Sequence, residues 1–81
     1  MDTKRQEELL KRITIREGMM DGKPTIRGMR FPVKDILELL ASGMTTHQIL
    51  EEHPILESDD VAAALIYASL KVTNTISLHA A

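Results

Sequence analysis

The sequence predicts a mainly α-helical domain with a short β-ribbon, its three helices in a helix-turn-helix-like order of the winged-helix or homeodomain-like kind. Three observations carry this reading. A β-branched, alternating stretch, Ile13-Thr14-Ile15-Arg16, precedes a segment punctuated by glycine and proline, Gly22 to Val33. At Val33 the apolar period changes from that of a strand to that of a helix. Two later cap signals, at Thr45 and Ser58, open two more helices.

Residues 3 to 12 read as a polar helix with Leu9 and Leu10 near its end, and too little of it repeats to demand burial. Residues 1–12 are therefore expected to be a helical arm that could equally be frayed. Ile13 to Arg16 suggests a half-buried strand, and Thr25 to Val33 contains a second extended stretch able to pair with it. A lone two-stranded ribbon is marginal in water, so it must pack on the helices or pair with a second copy. From Val33, residues Val33, Ile36, Leu37 and Leu40 share one helix face, Pro32 supplies the start and Gly43 the stop. Thr45 and Gln48 have the spacing of a capping box, and Pro54 ends the helix they open. Ser58 is expected to cap a third helix whose Asp59 and Asp60 complement the helix dipole as solvated acids. That helix is apolar on nearly every side through Leu70, which makes it the most buried element and part of a subunit interface. The ribbon and three helices occupy residues 13–72, and residues 73–81, with no charged side chain, are expected to form a flexible tail.

With 81 residues the chain forms one domain at most, and a domain this small buries only about 60% of its unfolded surface. With one Phe, one Tyr and no Trp, the core must come from aliphatic residues and methionine, so a homodimer is expected. Zero cysteines exclude disulfides and thiolate metal sites; no apolar run is long enough to span a membrane, and the polar start does not read as a secretory signal. A cytoplasmic location is expected. The net charge of −2 hides an asymmetry: residues 1–34 hold nine Lys and Arg against five acids, whereas residues 35–81 hold one Lys against seven acids. Any contact with phosphate or with an acidic partner is expected from the first half, at Arg16, Lys23, Arg27, Arg30 and Lys34.

The run Gly22-Lys23-Pro24-Thr25-Ile26-Arg27-Gly28, then Val33 to Met44, Ile49 to Pro54 and Asp59 to Leu65, resembles in order and spacing a family of small proteins known as domain of unknown function 433. The resemblance runs from about Ile13 to Leu70. It implies the antitoxin half of a type II toxin–antitoxin pair, with a small PIN-like nuclease toxin as partner and operator DNA as a second target. Met29, Phe31 and His53 depart from the family pattern in ways that alter packing only. In such an antitoxin the tail would anchor on the toxin through Ile76 and Leu78.

Catalytic and cofactor chemistry is not indicated. Between Gly18 and Gly22 only three residues intervene, and Pro24 follows Lys23, so the phosphate-loop pattern fails. His47, His53 and His79 lack metal-ligand spacing, and no nucleophile, base and orienting acid fall into a pattern. No cofactor and no enzymatic activity are expected. Met19, Met20 and Met29 suggest either an exposed adaptable patch or gap-filling in the core. A dimer interface is expected from Ile13, Ile15, Ile26 and Phe31 of the ribbon and from Leu65, Ile66 and Leu70 of the third helix. A stand-alone DNA-binding regulator and a purely structural interaction module remain as alternatives, although a third helix of acids, alanine and aliphatics offers little to read a major groove.

Overall fold

The first helix, α1 (Thr3–Leu10), begins where the Asp2 carboxylate accepts a hydrogen bond from the Lys4 N–H, in the computed structural model, which describes residues 1–75. It is not a frayed arm. Leu9 is fully buried and α1 packs along the helix that closes the fold. Little in the sequence signals this, because the helix buries a single leucine and its other ties, such as Arg5 to Asp59, run to residues far along the chain.

Strands β1 (Ile13–Thr14) and β2 (Thr25–Ile26) pair antiparallel, with Ile13 opposite Ile26 and Thr14 opposite Thr25. Between them Met20–Gly22 forms a short turn in which φ is 49°, 58° and 75°, a run of left-handed residues that costs the two non-glycines about 1–2 kcal/mol each. After β2 the chain turns again. The Met29 N–H donates to the Ile26 carbonyl at 2.8 Å across Arg27 and Gly28, both at positive φ, as the primed hairpin turns require. The return arm then pairs with β2: the Ile26 N–H donates to the Phe31 carbonyl and the Val33 N–H to the Pro24 carbonyl, each at 3.0 Å. Gly28 is needed twice over, since its φ is +71° and a Cβ there would lie 3.0 Å from the Arg16 guanidinium.

Helix α2 (Val33–Ala41) starts behind Pro32 and ends at Gly43, whose φ of +102° stops the chain from continuing. Helix α3 (Thr46–Glu52) is opened by a complete capping box: the Gln48 N–H donates to Thr45 Oγ1 and the Thr45 N–H donates to Gln48 Oε1. His53 closes α3 and sets its ring edge-on to Phe31, centroids 5.1 Å apart. Helix α4 (Ser58–Thr75) crosses α1, α2, α3 and β1. Ser58 does not cap it, because the helix already includes that residue. The Asp60 carboxylate, in the first turn, instead accepts back from the Glu57 N–H at 2.8 Å, the reverse half of a capping box.

The core lies under the ribbon and between the last three helices, formed by Ile26, Val33, Ile36, Ile49, Leu56, Val61 and Ala64. Met29 packs against it and Met19 lies 3.8 Å from the Thr25 hydroxyl, so the methionines of the ribbon are half-buried fillers rather than an exposed patch. Among the described residues the architecture is thus mainly helical, four α-helices with a two-stranded antiparallel ribbon, compatible with a small helix-turn-helix-like domain.

Candidate functional site

The signature Gly-Lys-Pro-Thr-Ile-Arg-Gly divides its cations between two places, and the division begins with the turn. Arg27 holds φ = +46°, a conformation costly for a residue that carries a Cβ. Its N–H donates to the Arg12 carbonyl at 2.7 Å, and its guanidinium reaches across to the start of α4. There Arg27 Nη2 donates to Asp60 Oδ2 at 2.9 Å and to the Ile55 carbonyl at 2.8 Å, while Nε donates to the same carboxylate. Arg12 Nη1 donates to Asp60 Oδ1 at 2.9 Å and to Glu57 Oε1 at 2.8 Å. Arg5 adds a two-pronged contact to Asp59, the closer at 2.7 Å.

Asp60 is the centre of this cluster and is completely buried, where a solvated acid was expected. Burial pushes its carboxyl pKa up, but hydrogen bonds from Arg27, the Glu57 N–H and Arg12 outweigh it and hold the group below the ordinary aspartate value. Arg12 is held more firmly protonated by its hydrogen bonds to Glu57 and Asp60, and Arg27 by its bond to Asp60. The cluster ties α1, the two chain segments at the open end of the ribbon, the loop after α3 and the first turn of α4 into one unit. Arg27 thus holds the fold together through Asp60 and the Ile55 carbonyl, while its side chain keeps 33% of its surface exposed.

Lys23 and Lys34 belong to the second place. The hydrogen bond from Val33 to Pro24 brings the Lys23-Pro24 arm beside the start of α2, and α4 passes the same spot near its end. Together they enclose an open groove of about 400 Å³ lined by Lys23, Pro24, Val33, Lys34, Leu37, Tyr67, Ala68, Lys71 and Val72. Its floor is apolar. Lys34 stands on the α2 wall, Lys71 on the α4 wall with its Nζ 5.5 Å over the Tyr67 ring, and Lys23 at the ribbon end. Lys34 also reaches Glu38 at 2.9 Å, an exposed pair one helical turn apart that binds the lysine only weakly. The left-handed turn Met20–Gly22 leads directly into Lys23, and strain stored beside a groove is a common mark of a functional surface. On the other flank of α2 a smaller hollow of about 320 Å³ is lined by Phe31, Asp35, Glu38, Leu39, Ser42 and His53, and carries acids in place of lysines.

The remaining expected residues separate clearly. Arg16 and Arg30 are exposed on the ribbon's loops, the Arg16 guanidinium lying against Gly28. Of the proposed interface set, Ile26 is fully buried inside its own core and so has no surface to offer a second copy, while Ile13 and Phe31 are half-buried against that core. Ile15 at 58%, Leu65 at 51% and Leu70 at 37% are exposed; Ile66 is half-buried. Ile76 and Leu78 lie outside the described residues. His47 is exposed and faces Glu51 one turn on, Nε2 to Oε1 3.6 Å. Tyr67, Ala68, Lys71 and Val72 were missed as site residues; their only signal was the i, i+1, i+4, i+5 pattern of one helix wall inside a run read as core.

Fold and site together define a small, mainly helical domain that presents a lysine-rimmed apolar groove, a binding surface in form. A family model described as "Protein of unknown function (DUF433)" matches residues 13–68, and the chain belongs to that family. It is 34% identical over 56 residues to uncharacterized protein y4eO of Sinorhizobium fredii (strain NBRC 101917 / NGR234), a match covering 69% of this chain and 25% of that protein. The chain thus spans about a quarter of the length of that relative. The crystal structure of a DUF433 member protein from Anabaena variabilis ATCC 29413, at 2.00 Å resolution, shares the fold: TM-score 0.71 and 22% identity, covering 100% of this chain and 87% of that one. No helix among the described residues is long and apolar enough to cross a membrane.

Proposed function

We propose that the protein is a non-catalytic, cytoplasmic antitoxin, which binds a small PIN-like nuclease and neutralises it by occlusion, with the groove between α2 and α4 as its contact surface. The observation that carries the reading is the groove itself. An apolar floor with lysines on both walls suits a protein surface that is apolar in the middle and acidic at its edges. PIN-like nucleases present clustered carboxylates, so cations held beside an apolar anchor give both affinity and the right charge. Lys23 and Lys34 serve this role in place of Arg27, which the fold retains. A homodimer formed through the exposed face of α4, at Leu65 and Leu70, is part of the same proposal.

The test is to purify the protein with the product of the neighbouring gene and to follow RNA cleavage by that product. Stoichiometric inhibition supports the reading; uninhibited cleavage with no complex on gel filtration defeats it. The exposure of Arg16 and Arg30 favours, as a second activity, binding to operator DNA by the ribbon. Affinity for a duplex from the protein's own promoter should then fall with salt at a log–log slope of about one per phosphate contacted, and Arg16→Ala should lower that slope.

A further inference from the structure

We infer that the groove receives an amphipathic α-helix of the partner, one whose apolar stripe is flanked by carboxylates on both sides. The identity of that partner as a nuclease rests on the antitoxin reading above; the shape and charge of the occupant do not. Each wall of the groove is a single helical turn. α2 gives Val33, Lys34 and Leu37, and α4 gives Tyr67, Ala68, Lys71 and Val72. A cleft between two packed helices is completed by a third, whose ridge of side chains settles between theirs. Ala68, the smallest side chain of the set, lines the groove and sets the least bulk in the way of an entering leucine-sized residue.

Charge then selects the flanks. The lysines stand on opposite walls, Lys34 on α2 and Lys71 on α4, with Lys23 closing the ribbon end. A fatty acid or similar amphiphile carries its charge at one end and would leave one wall unmatched. An amphipathic helix with glutamates beside its apolar stripe meets both. A compact polar ligand would instead need several polar groups converging on it, and the floor presents only apolar surface. The acid-lined hollow on the other flank of α2 would repel the same helix, which fixes the side on which it docks.

The probe is a synthetic helical peptide of about 14 residues, roughly four turns, with leucine at i, i+3, i+4 and i+7 and glutamate on both flanks. Its partner peptide carries lysine in place of each glutamate, and dodecanoate serves as the small amphiphile. Binding is read by fluorescence anisotropy on the full chain, and its position by the backbone amide resonances of Leu37 and Ala68. The glutamate peptide should bind roughly tenfold tighter than the lysine peptide, the yield of two or three exposed ion pairs, and should move both resonances. Lys23→Glu/Lys34→Glu should invert that preference, and Ala68→Trp, which obstructs the groove, should abolish binding with the circular dichroism unchanged. Should Ala68→Trp not fold, the charge-reversed variant decides alone. Equal binding of the two peptides, preferential binding of dodecanoate, or displacement of the same resonances by raising the protein's own concentration, the sign of a second copy in the groove, would overturn the inference. A nuclease fully inhibited by Ala68→Trp would sink the groove while leaving the antitoxin reading standing. Tight glutamate-peptide binding with an uninhibited nuclease would do the reverse.

Discussion

Replacing Asp60 with asparagine removes one negative charge from the point where Arg12, Arg27 and the Glu57 N–H converge, and changes little else in volume. Breaking a buried ion pair from one side costs about 3–5 kcal/mol, because the remaining charge stays uncompensated. Here the two arginines are not fully enclosed: their side chains are 27% and 33% exposed, so water recovers part of the loss. Asparagine also keeps one oxygen to accept from Glu57 or an arginine. We therefore expect a loss of about 2–4 kcal/mol, which for a domain of this size lowers Tm by roughly 10–25 °C. Urea unfolding followed by circular dichroism measures it, with the m-value checked for constancy. A second expectation separates the charge from the mere loss of packing. Arg27→Ala and Asp60→Ala together should cost less than the sum of the two singly, by about 1–3 kcal/mol, since either change alone already breaks the shared contact. A loss below about 0.5 kcal/mol for Asp60→Asn would show that the cluster contributes nothing net and that the positive φ of Arg27 is held by the hairpin alone.

The same carboxylate sets a pH dependence whose sign is fixed by the direction of its shift. Asp60 has a folded-state pKa below the unfolded value of about 3.9, so its contribution is complete above about pH 5 and disappears as pH falls through the folded value. Asp59 is shifted the same way by its hydrogen bonds from Arg5 and adds to the slope. The stability difference between the parent and Asp60→Asn should be flat from pH 5 to 8 and shrink below pH 4. A difference that grows on acidification would mean that the buried carboxyl is protonated in the folded state.

Three further outcomes follow from single contacts. Leu9→Ala should cost about 2–4 kcal/mol in urea unfolding, because Leu9 is fully buried at the α1–α4 contact; a cost under 0.5 kcal/mol would return α1 to the status of a loose arm. Thr45→Ala breaks one half of the capping box on α3 and should cost about 1 kcal/mol, read from the same curves. Leu65→Asp places a charge on an exposed position of α4, so Tm should hold within a few degrees while the proposed dimer gives way to monomer in sedimentation equilibrium; an unfolded variant, or an unchanged mass, would count against an interface at Leu65.

Much of the fold could be read along the chain because its punctuation is local. Pro32, Gly43, Thr45 with Gln48, and Pro54 each act within four residues, and each element boundary they marked is where the helices begin and end. α1 was harder to read for the opposite reason. Its stability comes from one buried leucine and from ion pairs to residues some fifty positions away, Arg5 to Asp59 and Arg12 to Asp60, and no window of sequence contains both ends. The cap of α4 illustrates the same limit on a smaller scale. Ser58 and Asp60 are both good residues for a helix start, and only the arrival of Arg12 and Arg27 decides that the aspartate is the one that turns inward.

Charge counting found the right half of the chain but could not divide its cations by task. Lys23, Arg27 and Arg30 look alike in sequence, within a few residues of one another, yet the turn at Arg27-Gly28 sends Arg27 to the loop after α3 and to Asp60 while Lys23 stays beside Pro24 at the groove. What distinguishes them is chemistry that acts at long range. An arginine donates through a planar fork to a carboxylate and a carbonyl at once and can hold a strained backbone in place; a lysine, a single point charge on a flexible stem, suits a rim that must adapt to what it meets. On this argument Arg27→Lys should lose stability although charge is kept, and Lys23→Arg should leave both fold and groove intact. The signature motif then has two purposes in seven residues. Its Arg-Gly end fastens the ribbon to α4, and its Lys-Pro end opens the groove that the fastening holds in shape.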